Sequence, residues 1–132
     1  MTSEQLNQAQ ESLARCLATT GFLDTLYQKL MASSPVIPPL FAHTDFERQH
    51  KLLQHGLGVL LIYAKRRNPA LLERIAVRHS RSDVAVDPSL YPSFVDSLVA
   101  AVRVHDPQWK EDVEMAWRAA VAPGIQFMMS RY

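Results

Sequence analysis

The sequence predicts an all-α protein. Apolar residues recur at three- and four-residue steps along much of the chain, and capping residues followed by proline divide it at short intervals. No stretch alternates apolar and polar residues with β-branched enrichment, so no sheet is expected. At 132 residues the chain has the length of one domain, taken as 1–132.

Helices are expected near 3–18, 21–33, 35–41, 45–66, 69–80, 88–104 and 107–131. The third begins at Ser34-Pro35, where the serine oxygen can accept from first-turn amides and the proline ring fits just inside. The fourth opens on Thr44-Asp45-Phe46-Glu47, read as a capping box between Thr44 and Glu47. Its apolar residues Phe46, Leu53, Leu57, Leu60, Leu61 and Ala64 share one face, and Lys65-Arg66-Arg67 suit the carbonyl end of its dipole. Asn68-Pro69, Asp87-Pro88 and Asp106-Pro107 open the remaining three. Phe94, Leu98, Ala101 and Val102 keep helical spacing in the sixth, as do Val113, Trp117, Ala120 and Ile125 in the seventh. Pro123-Gly124 is expected to bend that last helix, and Met115, Met128 and Met129 to fill its core side.

Apolar residues make up 48% and charged residues 20%, an ordinary globular mixture. A chain of this size buries roughly 65–70% of its unfolded surface, enough for a core and one internal ligand. A net charge of +1 gives no electrostatic case for nucleic acid or an anionic membrane as the main partner. Cys16 is alone, which excludes an intramolecular disulfide and suits a reducing compartment. The first residues show no basic segment followed by an apolar core. The longest apolar run, Val59 to Ala64, is far below the ~20 residues that span a bilayer. A cytoplasmic location is expected.

Of the five histidines His43, His50, His55, His79 and His105, His79 carries the chemistry best. It closes the helix that starts at Asn68-Pro69, and Leu72, Ile75 and Ala76 share its face. A neutral imidazole binds iron through one nitrogen while the other donates to an acceptor that fixes the ring. The carbonyls of the preceding turn, near Ile75, are the expected acceptors. Gln49 and Leu53 stand one turn apart on the long upstream helix, and Phe41 ends a proline-rich corner.

The stretch from Leu26 to Phe41 resembles the second-helix-to-corner segment of bacterial single-domain haemoglobins and flavohaemoglobin haem domains. Ile75 to His79 is similar to their proximal segment, Tyr91-Pro92 to the start of the following helix, and Trp117 to the tryptophan of their last helix. The resemblance runs from about Phe22 to Met129. It implies a globin fold, a three-over-three helical sandwich around haem b. His79 becomes the metal ligand, Phe41 the ring packed on the porphyrin, Tyr27 the distal tyrosine, Gln49 the distal polar residue and Leu53 the apolar gatekeeper. Leu57, Ile75, Val84, Tyr91, Phe94 and Leu98 complete the implied lining.

His50 competes with Gln49 for the distal position. Turning His50 inward would also bring in Glu47 and Gln54, at ~1–3 kcal/mol for each polar group left unpaired, so Gln49 is preferred. Tyr27 also has a purely structural alternative, a core tyrosine tied to a backbone carbonyl. As a donor to bound dioxygen, Tyr27 would contribute ~1.5–3 kcal/mol, or roughly 10- to 150-fold in affinity.

The resemblance implies O2, NO and CO as ligands, and oxidation of nitric oxide to nitrate with a separate reductase, since the chain ends at Tyr132. Tyr132 stands where these relatives carry a glutamate near the ligating histidine, and the segment from His79 to Tyr91 is somewhat longer than theirs. The imidazole should therefore be less anionic and peroxidase-like activity weak. A monomer or weak homodimer is expected. The competing functions are a gas sensor acting through a partner protein and a haem-free helical interaction protein.

Overall fold

The computed structural model describes residues 1–80 and 86–132. Among the described residues there are six α-helices and no strand: α1 Ser3–Leu17, α2 Phe22–Ser33, α3 Phe46–Arg66, α4 Ala70–His79, α5 Tyr91–His105 and α6 Glu111–Ser130. Short 3₁₀ turns stand at Pro38–Phe41 and Pro88–Leu90. The all-α expectation holds, and the boundaries differ where side chains have other partners.

The segment expected as a helix over 35–41 is only the 3₁₀ turn Pro38–Phe41. Pro38 and Pro39 lack the amides that an α-helical turn would use. The helix expected from 88 starts as a 3₁₀ turn in which Asp87 accepts from Ser89 N at 2.8 Å, before α5 begins at Tyr91. Asp45, not Thr44, caps α3, its carboxylate accepting from Glu47 N at 3.1 Å and Arg48 N at 3.4 Å. A carboxylate at that end also meets the positive pole of the helix dipole. Asn68 performs as expected, accepting from Ala70 N at 3.0 Å.

Asp106 departs furthest from expectation. It does not start a helix at 107, and α6 begins only at Glu111. Its carboxylate is buried and accepts from Ser12 Oγ at 2.6 Å, Arg15 Nε at 2.7 Å and Arg15 Nη2 at 2.9 Å. Ser12 Oγ accepts in turn from the indole N–H of Trp117 at 2.9 Å. One polar clasp thus joins α1, the end of α5 and the middle of α6, with every inward polar atom paired.

α1, α3 and α4 form one layer and α2, α5 and α6 the other. α1 and α3 lie on α6, α2 packs on α5, and α4 leans on both α3 and α6. The fully buried side chains include Trp117, Phe22, Leu26, Leu57, Leu72 and Leu98. α6 runs helically through Pro123. Beside it a Cβ on Gly124 would lie 2.5 Å from Leu60 Cδ2, so a glycine is what lets α3 and α6 approach there. Met128 is core as expected, but Met115 and Met129 are 60% and 38% exposed, because they fall on the outward side of α6. Cys16 is fully buried, and burial pushes its thiol up to about 12, which makes it inert. No described helix is long and apolar enough to cross a membrane.

The clasp should govern acid stability. Burial alone would raise the Asp106 carboxyl, but Arg15, Ser12 and the Gln108 amide outweigh it and hold the group below its ordinary 3.8. A carboxyl lowered in the folded state stabilises fully above the unfolded value and loses that contribution as pH falls below it. Asp106→Asn is expected to cost about 2–3 kcal/mol at neutral pH and to lose the matching acid-linked drop in stability. Urea unfolding from pH 7 to pH 3 checks this; parallel curves for variant and parent would disprove it.

Candidate functional site

α4 is ten residues long and holds its place with Leu72 and Ala76, both almost fully buried. These anchor its inner face, and His79 sits one turn beyond Ile75 at the same end. The His79 Nδ1 lies 2.8 Å from the Ile75 carbonyl oxygen. A carbonyl can only accept, so Nδ1 carries the proton, and in the uncharged form of the ring the lone pair then lies on Nε2. This is the acceptor anticipated from the sequence. The His79 carbonyl also accepts from Val86 N at 2.9 Å, which ties the helix end to the chain leading into α5.

A second centre lies around Tyr27 on α2. Tyr27, Leu30 and Ile37 form a small buried cluster, with Phe41, Leu53, Leu90 and Phe94 half-buried against it. The Tyr27 ring meets Phe41 edge-on at 5.5 Å and Phe46 at 5.6 Å, and Phe41 stacks on Phe46 at 6.1 Å. Tyr27 OH donates to the Gln49 carbonyl oxygen at 3.4 Å, long beside the ~2.7–2.8 Å usual for O–H···O. Burial pushes the phenol up to about 12, against a smaller opposing contribution from Gln49. The group therefore keeps its proton at neutral pH.

Leu53 and Phe94 each pack against both this cluster and the main core. They join the Tyr27 side to the side carrying Ile75, Tyr91, Leu57 and Leu98, all of which belong to the main core or pack against it. Leu57 and Leu98 are fully enclosed; Leu53, Phe41, Ile75 and Phe94 are only partly so. Leu53 on α3, Ile75 on α4 and Phe94 on α5 thus keep apolar surface that the fold does not fully cover. Tyr91 is buried and its phenol, like that of Tyr27, is pushed up to about 12 by burial. Val84 lies outside the described residues.

Gln49 and His50 flank the inward meridian of α3. Gln49 is half-buried and lends its carbonyl to Tyr27. The His50 ring lies tilted over Tyr27 at 5.4 Å, with Nε2 3.2 Å from Asp24 Oδ1. His43 is exposed. Val86, Leu90 and the Phe41–Phe46 stack were not anticipated as parts of the site, since residues in turns carry no helical periodicity. Among the described residues no group of three His, Cys, Asp or Glu side chains is placed to hold a metal.

The globin family model matches residues 24–128, most of the chain. The chain belongs to the globin family. A solved structure agrees: a protein from Pseudomonas aeruginosa PAO1, described as structurally highly homologous to a human hemoglobin, has 35% identity and a TM-score of 0.94. That match covers 97% of this chain and 98% of the other. No curated protein matches.

For a globin the family implies haem and reversible binding of small gases such as O2. The residues present fit that group. His79 offers an oriented Nε2, and Leu53, Ile75, Phe41 and Phe94 offer apolar surface not yet fully covered. His79 in the haem-free globin should therefore appear as the Nδ1–H tautomer when neutral. Nitrogen-15 shifts of the ring report this directly, and an Nε2–H tautomer would show that the Ile75 bond is not made.

Proposed function

We propose that this globin, a single domain over 1–132, binds O2 tightly through haem b under His79, and that Tyr27 and Gln49 hold the bound gas. The observation that carries the reading is the His79 Nδ1–Ile75 hydrogen bond at 2.8 Å, which commits one ring nitrogen and reserves the other for a metal. When bound, haem supplies reversible binding of O2, NO and CO and, with O2 and NO together, oxidation of nitric oxide to nitrate at the cost of one electron.

The chain's own residues set how that chemistry runs. Tyr27 holds its proton because burial pushes the phenol up to about 12, so it can act as a donor. Its present acceptor, the Gln49 carbonyl, is 3.4 Å away. A partly negative oxygen brought closer would compete well for that proton, since charge-assisted bonds are shorter and stronger. Leu53, Phe41 and Phe94 exclude water from the same space, which strengthens the bond further. Gln49 is assigned the distal polar role because His50 is engaged by Asp24.

Such a pocket releases O2 slowly and suits chemistry on the gas better than unloading it. Nitric-oxide detoxification, or another oxygen-linked redox reaction, then needs an electron from a separate reductase in the cytoplasm. A neutral carbonyl behind His79, in place of a carboxylate, leaves the imidazole less anionic, which disfavours peroxidase-like reactions.

His79→Gly is expected to lose stable haem, and free imidazole to restore the parent spectrum by filling the space left. Haem held with an unaltered spectrum and no imidazole would refute the ligand assignment. Tyr27→Phe should release oxygen about tenfold faster or more; stopped-flow displacement by carbon monoxide measures it, and an unchanged rate would leave Tyr27 a purely structural residue.

A further inference from the structure

Charge is distributed very unevenly along this chain. Residues 48–78 carry seven cations, Arg48, Lys51, Lys65, Arg66, Arg67, Arg74 and Arg78, against one carboxylate, Glu73. Glu73 is itself 3.3 Å from Arg131. The remaining residues carry seven cations against twelve carboxylates, so a net charge of +1 conceals a basic α3–α4 pair, whose carboxylates are Glu47 and Glu73, and an acidic remainder.

On α3 the cations lie on the stripe opposite the buried Leu57, Leu60, Leu61 and Ala64. Lys51, His55, Gly58, Ile62 and Lys65 follow one another at four- and three-residue steps. An open groove runs here, lined by Lys51, His55, Gly58, Val59, Ile62 and Leu71. Ile62 and Leu71 are 48% and 44% exposed, giving an apolar centre. Lys65, Arg66 and Arg74 are exposed around it. An apolar centre inside a charged rim is the anatomy of a protein interface.

Gly58 adds an independent argument. It sits in the middle of a 21-residue helix, where glycine is about 1 kcal/mol worse than alanine. Gly124 earns its place by a close helix crossing, but a Cβ on Gly58 would meet nothing within 4 Å. No contact inside the molecule calls for a bare backbone there, at the floor of the groove. A surface approaching from outside would.

We propose that this groove docks an acidic electron-donor protein that reduces the globin. The proposal rests on the haem reading above and identifies the partner that reading requires. α3 and α4 carry Gln49, Leu53 and His79 on their inner sides, and a helix is only about 10–12 Å across. A donor seated outside is thus one helix from the pocket. With haem bound, a donor seated there would pass one electron from a reduced iron–sulfur or flavin centre to the globin, the donor being oxidised by one electron and the globin reduced by one. The cationic rim steers an acidic partner, and a small patch suits the brief encounters typical of electron transfer. The globin's own acidic residues Glu4, Glu11, Glu111 and Asp112 make a second copy the rival occupant, in head-to-tail contacts that would build rings or filaments.

The test uses the full haem-loaded chain with reduced plant-type [2Fe–2S] ferredoxin as the acidic donor and dithionite as a reference reductant. Lys51→Glu/Lys65→Glu/Arg66→Glu is expected to slow reduction by ferredoxin at least tenfold at low salt and to flatten its salt dependence. Gly58→Leu should slow it severalfold with the salt dependence kept, and Glu111→Lys/Asp112→Lys should not slow it. All rates are taken relative to dithionite, so general damage to the pocket cancels. Ferredoxin rates equal to the parent's in both groove variants overturn the proposal. So does concentration-dependent self-association that the triple reversal abolishes, which would give the face to a second copy. A chain that takes up no haem refutes the functional reading instead. Docking is then read from ferredoxin-induced amide shifts, which should cluster at residues 51–62 and Leu71; shifts elsewhere, or none, overturn it.

Discussion

The hydrogen bond from His79 Nδ1 to the Ile75 carbonyl constrains everything else in the pocket, because it decides which nitrogen remains for a metal and how the ring stands on its helix. That bond is internal to α4. Its precision depends on α4 being held still, and α4 is short, with Leu72 and Ala76 as its buried residues. An isolated helix of this length is marginal in water. Its order must come from α3 and α6, on which it lies. Gly124 lies at the place where α6 meets both Leu60 of α3 and Leu72 of α4.

Polar and apolar anchoring are divided between parts of the molecule. The clasp of Asp106, Arg15, Ser12 and Trp117 fixes α1, α5 and α6 with directional bonds. Leu53 on α3, Ile75 on α4 and Phe94 on α5 pack against the core while staying partly exposed, and their attraction is non-directional. A frame fastened away from these residues allows them to admit a large flat group without losing paired polar atoms. Leu53 and Phe94 are half-buried there, beside the completely buried Leu57 and Leu98.

Much of this was legible in the chain itself, for reasons that can be stated residue by residue. Helical spacing located α3, α5 and α6 because each buries a continuous stripe. It also predicted the Ile75 acceptor, which follows from helix geometry alone. Ser34-Pro35 misled by looking like a helix start, while Pro38 and Pro39 just beyond it remove amides an α-helix needs. Asp106-Pro107 misled because the same carboxylate that caps a helix also pairs with Arg15, 91 residues away in the chain, and no local pattern shows that. Val86 and Leu90 entered the site from turns, where periodicity carries no information. Exposure on a mostly apolar helix is equally hard to read, which is why Met115 and Met129 were placed inside.

The uneven charge and the tight distal donor belong to one physical argument. A pocket that holds O2 through a protonated, buried phenol gives it up slowly, so turnover must come from reaction on the bound gas, and each cycle of such a reaction consumes an electron. In the proposed reading Gln49, Leu53 and His79 face the bound group from α3 and α4, which leaves the outer sides of those helices as the shortest approach for a donor. Concentrating seven cations within residues 48–78 works against folding through like-charge repulsion. A face that repels itself and leaves Gly58 bare has no evident purpose within the monomer. It acquires one if the donor is acidic, because the repulsion is then relieved at the moment of contact, and that relief adds to the attraction between the two proteins.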